Sequence, residues 1–176
     1  MPADQTEPGT LRVGVAVADI TPLLGTELCG YGYYLHRAST GVLDRLHAKA
    51  LYVEQEGQAA VLITNDLCGV TAALTAQTRG LLENELGING DRVMLACTHT
   101  HSGPATMGTY SIGEPDPLYC AHLPYVWLAL ARQARASAVH ADMALARGEA
   151  PEEGYDRHAL DGPLDRQIRL AVFSRE

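Results

Sequence analysis

The chain has 176 residues, 47% of them hydrophobic, so it is long enough to bury the core of one domain. Its formal net charge of −8, with no cluster of Lys and Arg, argues against nucleic acid as a partner, because phosphate contacts need clustered cations. The cysteines show no CxxC spacing, which favours free thiols over a disulfide scaffold. They are Cys29, Cys68, Cys97 and Cys120.

Neither a leader nor a membrane span is apparent in the sequence. Residues 1–10 are polar and contain two prolines, so we interpret them as a tail rather than a signal peptide. The longest strongly apolar stretch surrounds Trp127 and is far too short to cross a bilayer. As written, the sequence is therefore expected to be cytoplasmic. Its pattern gives no indication of the oligomeric state.

Hydrophobic patterning predicts an α/β chain with about six strands and two helices. The predicted strands are 11–18, 46–54, 59–65, 92–98, 143–149 and 167–173. The linker Gln55-Glu56-Gly57-Gln58 is short and contains glycine, which favours a hairpin between the second and third strands. Because a hairpin joins antiparallel strands, we expect a mixed β-sheet with flanking helices.

The two predicted helices are amphipathic segments with recognisable ends. The first spans 70–86, and Gly87 is a suitable carboxy-terminal cap. The second is predicted over 124–139, with Pro124 in its first turn. A Gly- and Tyr-rich loop precedes residue 46, and its tyrosines Tyr31, Tyr33 and Tyr34 could line a half-apolar mouth or belong to an exposed loop.

The segment Cys97-Thr98-His99-Thr100-His101-Ser102-Gly103-Pro104 carries the strongest chemical signal. If the preceding strand continued through it, side chains two residues apart would share a face, so His99 and His101 would point the same way. Gly103-Pro104 then forces a turn. The neighbouring Thr and Ser hydroxyls can orient imidazole nitrogens. An HxH pair can also be an ordinary polar strand end, but this context favours a functional site. Cys97 should face away from both histidines.

The same segment resembles the signature of the neutral/alkaline ceramidase family, whose amino-terminal domain carries a zinc-dependent amidase site. Further matching segments occur in the expected order over residues 11–173. They are the strand and Thr-Pro turn ending at Pro22, Gly30-Tyr31-Gly32, Ser39-Thr40-Gly41-Val42, the strand beginning at Leu46 and the strand ending at Asp66. Tyr155-Asp156-Arg157 resembles the family's Asn-Arg element, with Asp in place of Asn.

The resemblance implies roles for three residues and one cofactor. His99 would bind Zn²⁺, a metal that suits imidazole and carboxylate ligands. His101 would stay off the metal and carry protons near the nucleophile, as suits a group titrating near neutral pH. Arg157 would stabilise the substrate carbonyl oxygen or the developing oxyanion. The substrate would be a small-molecule or lipid amide, as in sphingolipid metabolism, and relatives in this family are often secreted.

The resemblance also implies an incomplete site. The family's second His, Glu and Tyr ligands and its Ser nucleophile lie beyond the region that this sequence covers. We therefore expect residues 11–176 to form the first part of a larger ceramidase-like catalytic domain, truncated at its carboxy end. Three alternatives stay open: both histidines bind the metal, a self-contained HxH hydrolase adds Asp66, or the chain is a catalytically silent α/β interaction or structural module.

Overall fold

The protein is described by a computed structural model that covers residues 10–32, 36–108, 113–150, 154, 156, 158–159 and 162–175. Its main sheet has five strands in the order β4-β3-β2-β1-β5. The strands are β1 Arg12–Asp19, β2 His47–Gln55, β3 Gln58–Asn65, β4 Val93–Cys97 and β5 Val139–His140. Two further strands, β6 Asp142–Glu149 and β7 Gln167–Ser174, pair with each other in a separate sheet.

The main sheet is mixed, as predicted. Strands β1, β2 and β3 are antiparallel neighbours, whereas β3 and β4 run parallel. The β2–β3 hairpin turns at Glu56 and Gly57, whose φ angles are 51° and 71°. Two successive positive φ values match the right-handed twist of the strands, which explains why the four-residue linker closes a hairpin.

Two helices cover one face of this sheet. Helix α1 spans Ala72–Leu86 and connects the parallel strands β3 and β4, followed by a short 3₁₀ turn at Gly90–Arg92. Gly87 closes the helix with a φ of 68°, as the sequence predicts. Helix α2 spans Pro117–Ala136. Side chains from both helices and the central strands form one core, which includes Tyr52, Ile63, Leu82, Leu123 and Trp127.

The predicted start of the second helix, at Pro124, is wrong. Helix α2 begins at Pro117, where Asp116 caps it by accepting hydrogen bonds at Oδ1 from the backbone N–H groups of Leu118 and Tyr119. A proline at the first helical position lacks only a backbone N–H that would have no partner within the helix anyway. Pro117 therefore suits the first turn as well as Pro124 does. Pro124 is instead a buried residue inside the helix. Val139 lies outside the helix and begins β5.

Candidate functional site

The two histidines of the HxH segment meet in a loop beyond the sheet. Strand β4 ends at Cys97, and His99 adopts a left-handed backbone with a φ of 60°. This reversal brings the two rings together, with Nε2 of His99 3.4 Å from Nε2 of His101. The rings therefore converge through loop geometry and not through strand alternation as the sequence suggested.

A backbone carbonyl fixes the orientation of His99. Its Nδ1 lies 2.8 Å from the carbonyl oxygen of Cys68, the distance of a hydrogen bond. When Nδ1 carries the proton and donates to that carbonyl, Nε2 keeps a lone pair, which is the arrangement that metal-binding histidines use. Two nitrogens on a tetrahedral zinc lie about 3.3 Å apart for Zn–N bonds of about 2.05 Å. The separation of 3.4 Å between the two Nε2 atoms thus fits zinc.

An aromatic and a cationic side chain pack beside His101. The Tyr31 ring meets the His101 ring edge-on, with their centroids 5.1 Å apart. The Arg37 guanidinium lies 5.3 Å from the centre of the Tyr31 ring and donates hydrogen bonds to Ser102 Oγ and to the carbonyl oxygens of Cys29 and Gly30. These contacts connect the loop after β1 to the histidine loop and hold His101 in place.

Asp66 contributes to the architecture of the loop. Its Oδ2 accepts a hydrogen bond from the backbone N–H of His47 at 3.0 Å, and its Oδ1 accepts one from Thr98 Oγ1 at 3.4 Å. Within the described part of the chain, the cluster of side chains spaced for a metal ion contains Cys68, His99 and His101, and Asp66 is not a member. The self-contained hydrolase that uses Asp66 as a ligand is therefore not supported by this geometry.

Cys68 is the neighbour that the sequence did not reveal. It follows β3, whereas His99 follows β4, and the parallel pairing of these strands brings the two loops to the same edge of the sheet. Its Sγ lies 3.6 Å from His99 Nδ1. Cys68 could have been found from the two predicted strands that precede Cys68 and His99. If these strands are parallel neighbours, the loops that follow them lie side by side.

Burial raises the pKa of two thiols near the site, Cys29 and Cys97. Cys29 and Cys68 pack with Ala105 and Met107 in a small buried cluster. Burial, reinforced by a hydrogen bond with Cys68, raises the pKa of the Cys29 thiol to about 12. Burial also raises the pKa of Cys97. All four cysteines are free thiols in the structure.

Arg157, the third predicted site residue, lies outside the described residues, as does Tyr155 beside it. Asp156, between them, accepts a hydrogen bond at Oδ1 from the backbone N–H of His158 at 2.8 Å. The role of Arg157 is therefore still a prediction from the sequence.

An apolar cleft of about 220 Å³ opens beside His101. Its wall consists mainly of aliphatic and proline side chains from the loops after β1 and β4. They include Pro22, Leu24, Leu28, Val42, Leu43, Leu46 and Pro104. A separate cleft of about 310 Å³ lies at the other end of β3, around Tyr52 and Arg92, and contains neither histidine. Of these two clefts, the one at His101 places an apolar surface next to the candidate site.

Comparison with known families gives this site a context. Residues 11–116 match the family described as neutral/alkaline non-lysosomal ceramidase, N-terminal. The chain belongs to this family. The matched region contains His99, His101 and Cys68, and it ends before Arg157. The family resemblance noted in the sequence is therefore confirmed for the part of the chain that carries the histidines.

Individual ceramidases agree with this assignment. Neutral ceramidase A of Dictyostelium discoideum is 30% identical over 112 residues, which cover 61% of this chain and 16% of that protein. Neutral ceramidase B of the same organism is 31% identical over 106 residues, covering 57% and 15%. The chain thus spans about a sixth of the length of these relatives.

The fold is shared with a solved ceramidase. The crystal structure of neutral ceramidase from Pseudomonas aeruginosa matches with a TM-score of 0.82 and 24% identity, over 95% of this chain and 30% of that one. A ceramidase complexed with C2 matches with a TM-score of 0.81. Within the described residues, no helix has both the length and the apolar character needed to cross a membrane.

Proposed function

We propose that this chain contributes the histidine part of a zinc-dependent hydrolase site that cleaves a linear amide (N-acyl) bond. Membership of the ceramidase family supports a ceramidase-like hydrolase. The observation that carries the proposal is the pair of imidazoles whose Nε2 atoms lie 3.4 Å apart, with the first ring oriented through its Nδ1. With Nδ1 donating to a carbonyl, His99 Nε2 is free to bind a catalytic zinc, which keeps one coordination position for water or substrate beside His101.

Each of the three residues has a distinct role in this proposal. His99 binds the metal through Nε2, and the bound metal would polarise the substrate carbonyl. His101 accepts and returns a proton at the reacting centre, held in position by Tyr31 and the Arg37 contacts. Arg157 stabilises negative charge on the carbonyl oxygen.

The substrate that suits the site is an amide with a hydrocarbon chain. Most of the surface of the cleft beside His101 is apolar, and such a surface favours an acyl chain over a charged group. We therefore propose a lipid amide of the ceramide type, in which the amide meets the histidines while the chain occupies the cleft.

The complete site requires more residues than this chain provides. We propose that residues 11–176 are the first part of a larger catalytic domain, because the chain covers only 16% of one ceramidase relative and 30% of a solved one. The nucleophile and the remaining ligands would come from the rest of that domain. The 176-residue chain by itself should therefore hydrolyse amides no faster than buffer does.

A chimera tests this function. Residues 11–116 would replace the matching segment of the Pseudomonas aeruginosa enzyme, and hydrolysis of a fluorescent N-acyl lipid would be measured. We expect an active chimera that loses about 10²–10⁴-fold of kcat/KM in His101→Ala and its zinc in His99→Ala. His36→Ala, at an exposed histidine, should retain activity.

Two results would contradict the proposal. A folded chimera without activity would favour the silent structural module. Robust turnover by the isolated chain, abolished by His101→Ala, would show that the site is complete without the rest of the domain.

A second coordination scheme, in which both histidines bind the metal, is favoured by the short distance between the two Nε2 atoms. Measurement of zinc content separates the two schemes. If His101 is a ligand, His101→Ala loses zinc as His99→Ala does. If it is a proton carrier, the variant keeps zinc and loses only activity.

A further inference from the structure

Two buried thiols contact each other beside the histidine loop, residues 98–103. Cys29 has no exposed surface and Cys68 is 6% exposed, and both belong to one small buried cluster with Ala105. Their thiols share a hydrogen bond. Cys29 lies in the loop after β1, whereas Cys68 lies in the loop after β3. The fold, and not closeness in sequence, therefore brings the two sulfur atoms together.

The two cysteines belong to the two backbone segments that flank the histidine loop. On one side, the N–H of Cys29 donates to the carbonyl oxygen of Gly103 at 2.8 Å, and the Cys29 carbonyl accepts a hydrogen bond from the N–H of Ser102 at 2.9 Å. On the other side, the N–H of Thr100 donates to the carbonyl oxygen of the residue before Cys68 at 3.2 Å. A bond between the two sulfur atoms would therefore connect the two segments that hold the loop.

We propose that Cys29 and Cys68 form an intramolecular disulfide when the protein meets a small disulfide oxidant such as glutathione disulfide. The S–S bond of a disulfide is about 2.05 Å long, so thiols in hydrogen-bond contact must approach further by rotation about their Cα–Cβ bonds. This modification goes beyond the proposed hydrolase and does not depend on it. It would fix the position of the histidine loop between its two flanking segments.

The bond forms by two successive thiol–disulfide exchanges. The thiolate of Cys68, the more exposed of the two residues, attacks one sulfur of glutathione disulfide, whose S–S bond breaks and releases one glutathione. The thiolate of Cys29 then attacks Cys68 Sγ in the mixed disulfide and releases the second glutathione. The protein loses two protons and two electrons, which the two glutathione molecules take up. Because burial raises the pKa of Cys29 to about 12, its thiolate is scarce and the second exchange sets the rate.

The test is overnight oxidation of the purified 176-residue chain by glutathione disulfide at mildly alkaline pH. The free thiols are then alkylated in denaturant and counted by intact mass. The reduced chain has four free thiols, so we expect four alkyl groups before oxidation and two after it. Proteolysis of the oxidised chain should release a peptide pair that joins Cys29 to Cys68.

Two variants identify the partners. Cys29→Ala should form no internal disulfide and should keep Cys68 as a mixed disulfide with glutathione. Cys97→Ala is the matched control, because Cys97 is a half-buried free thiol outside the cluster of Cys29 and Cys68. This control should form the same disulfide as the wild type. Far-ultraviolet circular dichroism checks folding, and the peptide map of the oxidised wild type identifies the pair if a variant is unfolded.

Stability gives a second readout. The disulfide would enclose β2 and β3, so it should restrict the unfolded chain and raise the urea midpoint of the oxidised protein. Dithiothreitol should return the midpoint to that of the reduced chain. A midpoint that does not rise on formation of the bond would overturn the inference that the native fold accommodates it.

Three further results would overturn the pair: four alkylated thiols after oxidation, a wild-type chain that stops at the mixed disulfide, or a disulfide that joins other cysteines. None of these results decides the proposed hydrolase, whose test is the activity of the chimera. Conversely, an inactive chimera leaves the thiol count of this chain as an independent result. The two proposals can therefore fail separately.

Discussion

Replacement of Gly30 by alanine should disturb His101 directly. Gly30 has a φ of 86°, and a Cβ atom added there would lie 2.7 Å from Cγ and Nδ1 of the His101 ring. Ordinary contacts at such atoms begin near 3.4 Å, so the ring would have to move by roughly 0.7 Å. Gly25 provides a matched control, because its φ is 92° and nothing lies within 4 Å of the corresponding Cβ position.

The two substitutions should lower the free energy of unfolding by different amounts, because only Gly30→Ala adds a steric clash. A left-handed backbone at a non-glycine residue costs about 1–2 kcal/mol, which both variants share. Overpacking against a neighbouring ring adds about 1–3 kcal/mol for Gly30→Ala alone. We therefore expect the free energy of unfolding to fall by about 2–5 kcal/mol in Gly30→Ala and by about 1–2 kcal/mol in Gly25→Ala.

Urea denaturation measures both free energies, and the ¹H–¹³C NMR signals of the histidine rings report the local movement. The His101 ring signal should shift in Gly30→Ala and stay in place in Gly25→Ala. Equal destabilisation of the two variants, together with an unshifted His101 signal, would refute the placement of His101 against Gly30.

Three further changes test the core, a buried thiol and a helix cap. Asn65→Leu leaves the buried indole N–H of Trp127 without its acceptor, which lies at 2.6 Å, so the free energy of unfolding should fall by about 1–3 kcal/mol. An unchanged free energy in urea melts would contradict this. The pKa of the Cys29 thiol is about 12 in the folded protein and 9.0 for an ordinary cysteine. The folded state therefore keeps a proton that the unfolded state loses, and the free energy of unfolding should fall as the pH rises above about 9. In Cys29→Ala, the urea midpoint should decline less between pH 7 and about 10.5 than it does in the wild type. The same decline in both proteins would contradict the role of Cys29. Asp116→Ala removes the amino-terminal cap of α2 and should lower the free energy of unfolding, measured in urea, by about 1 kcal/mol. An unchanged value would mean that α2 does not begin at this cap.

The fold class could be predicted because the strands and α1 have clear local signals. The hairpin linker at Gln55-Glu56-Gly57-Gln58 and the cap at Gly87 are chain-local features, and both lie where the sequence indicated. The second helix was misplaced because two prolines suit a first turn equally well. The deciding contact is the cap of Asp116, which a search for apolar periodicity overlooks.

Only part of the candidate site could be predicted from the sequence. The HxH segment is local and could be found, but the convergence of its rings depends on the left-handed backbone of His99, a conformation that non-glycine residues rarely adopt. Cys68 lies 31 residues from His99 in sequence, so its contact arises only from the pairing of β3 with β4. Such long-range proximity leaves no mark in composition or periodicity.

The position of the site follows from the connection between these two strands. A parallel pair needs a crossover, and α1 provides it, so that β3 and β4 both end at the same edge of the sheet. Asn65, the last residue of β3, accepts a hydrogen bond from Trp127 in the core and donates one to the Ala96 carbonyl on β4. The backbone N–H of Thr98 donates to the Asn65 carbonyl at 3.0 Å, one residue before His99. The hydrogen bonds of Asn65 therefore connect the packing of α2 to the residue that precedes His99.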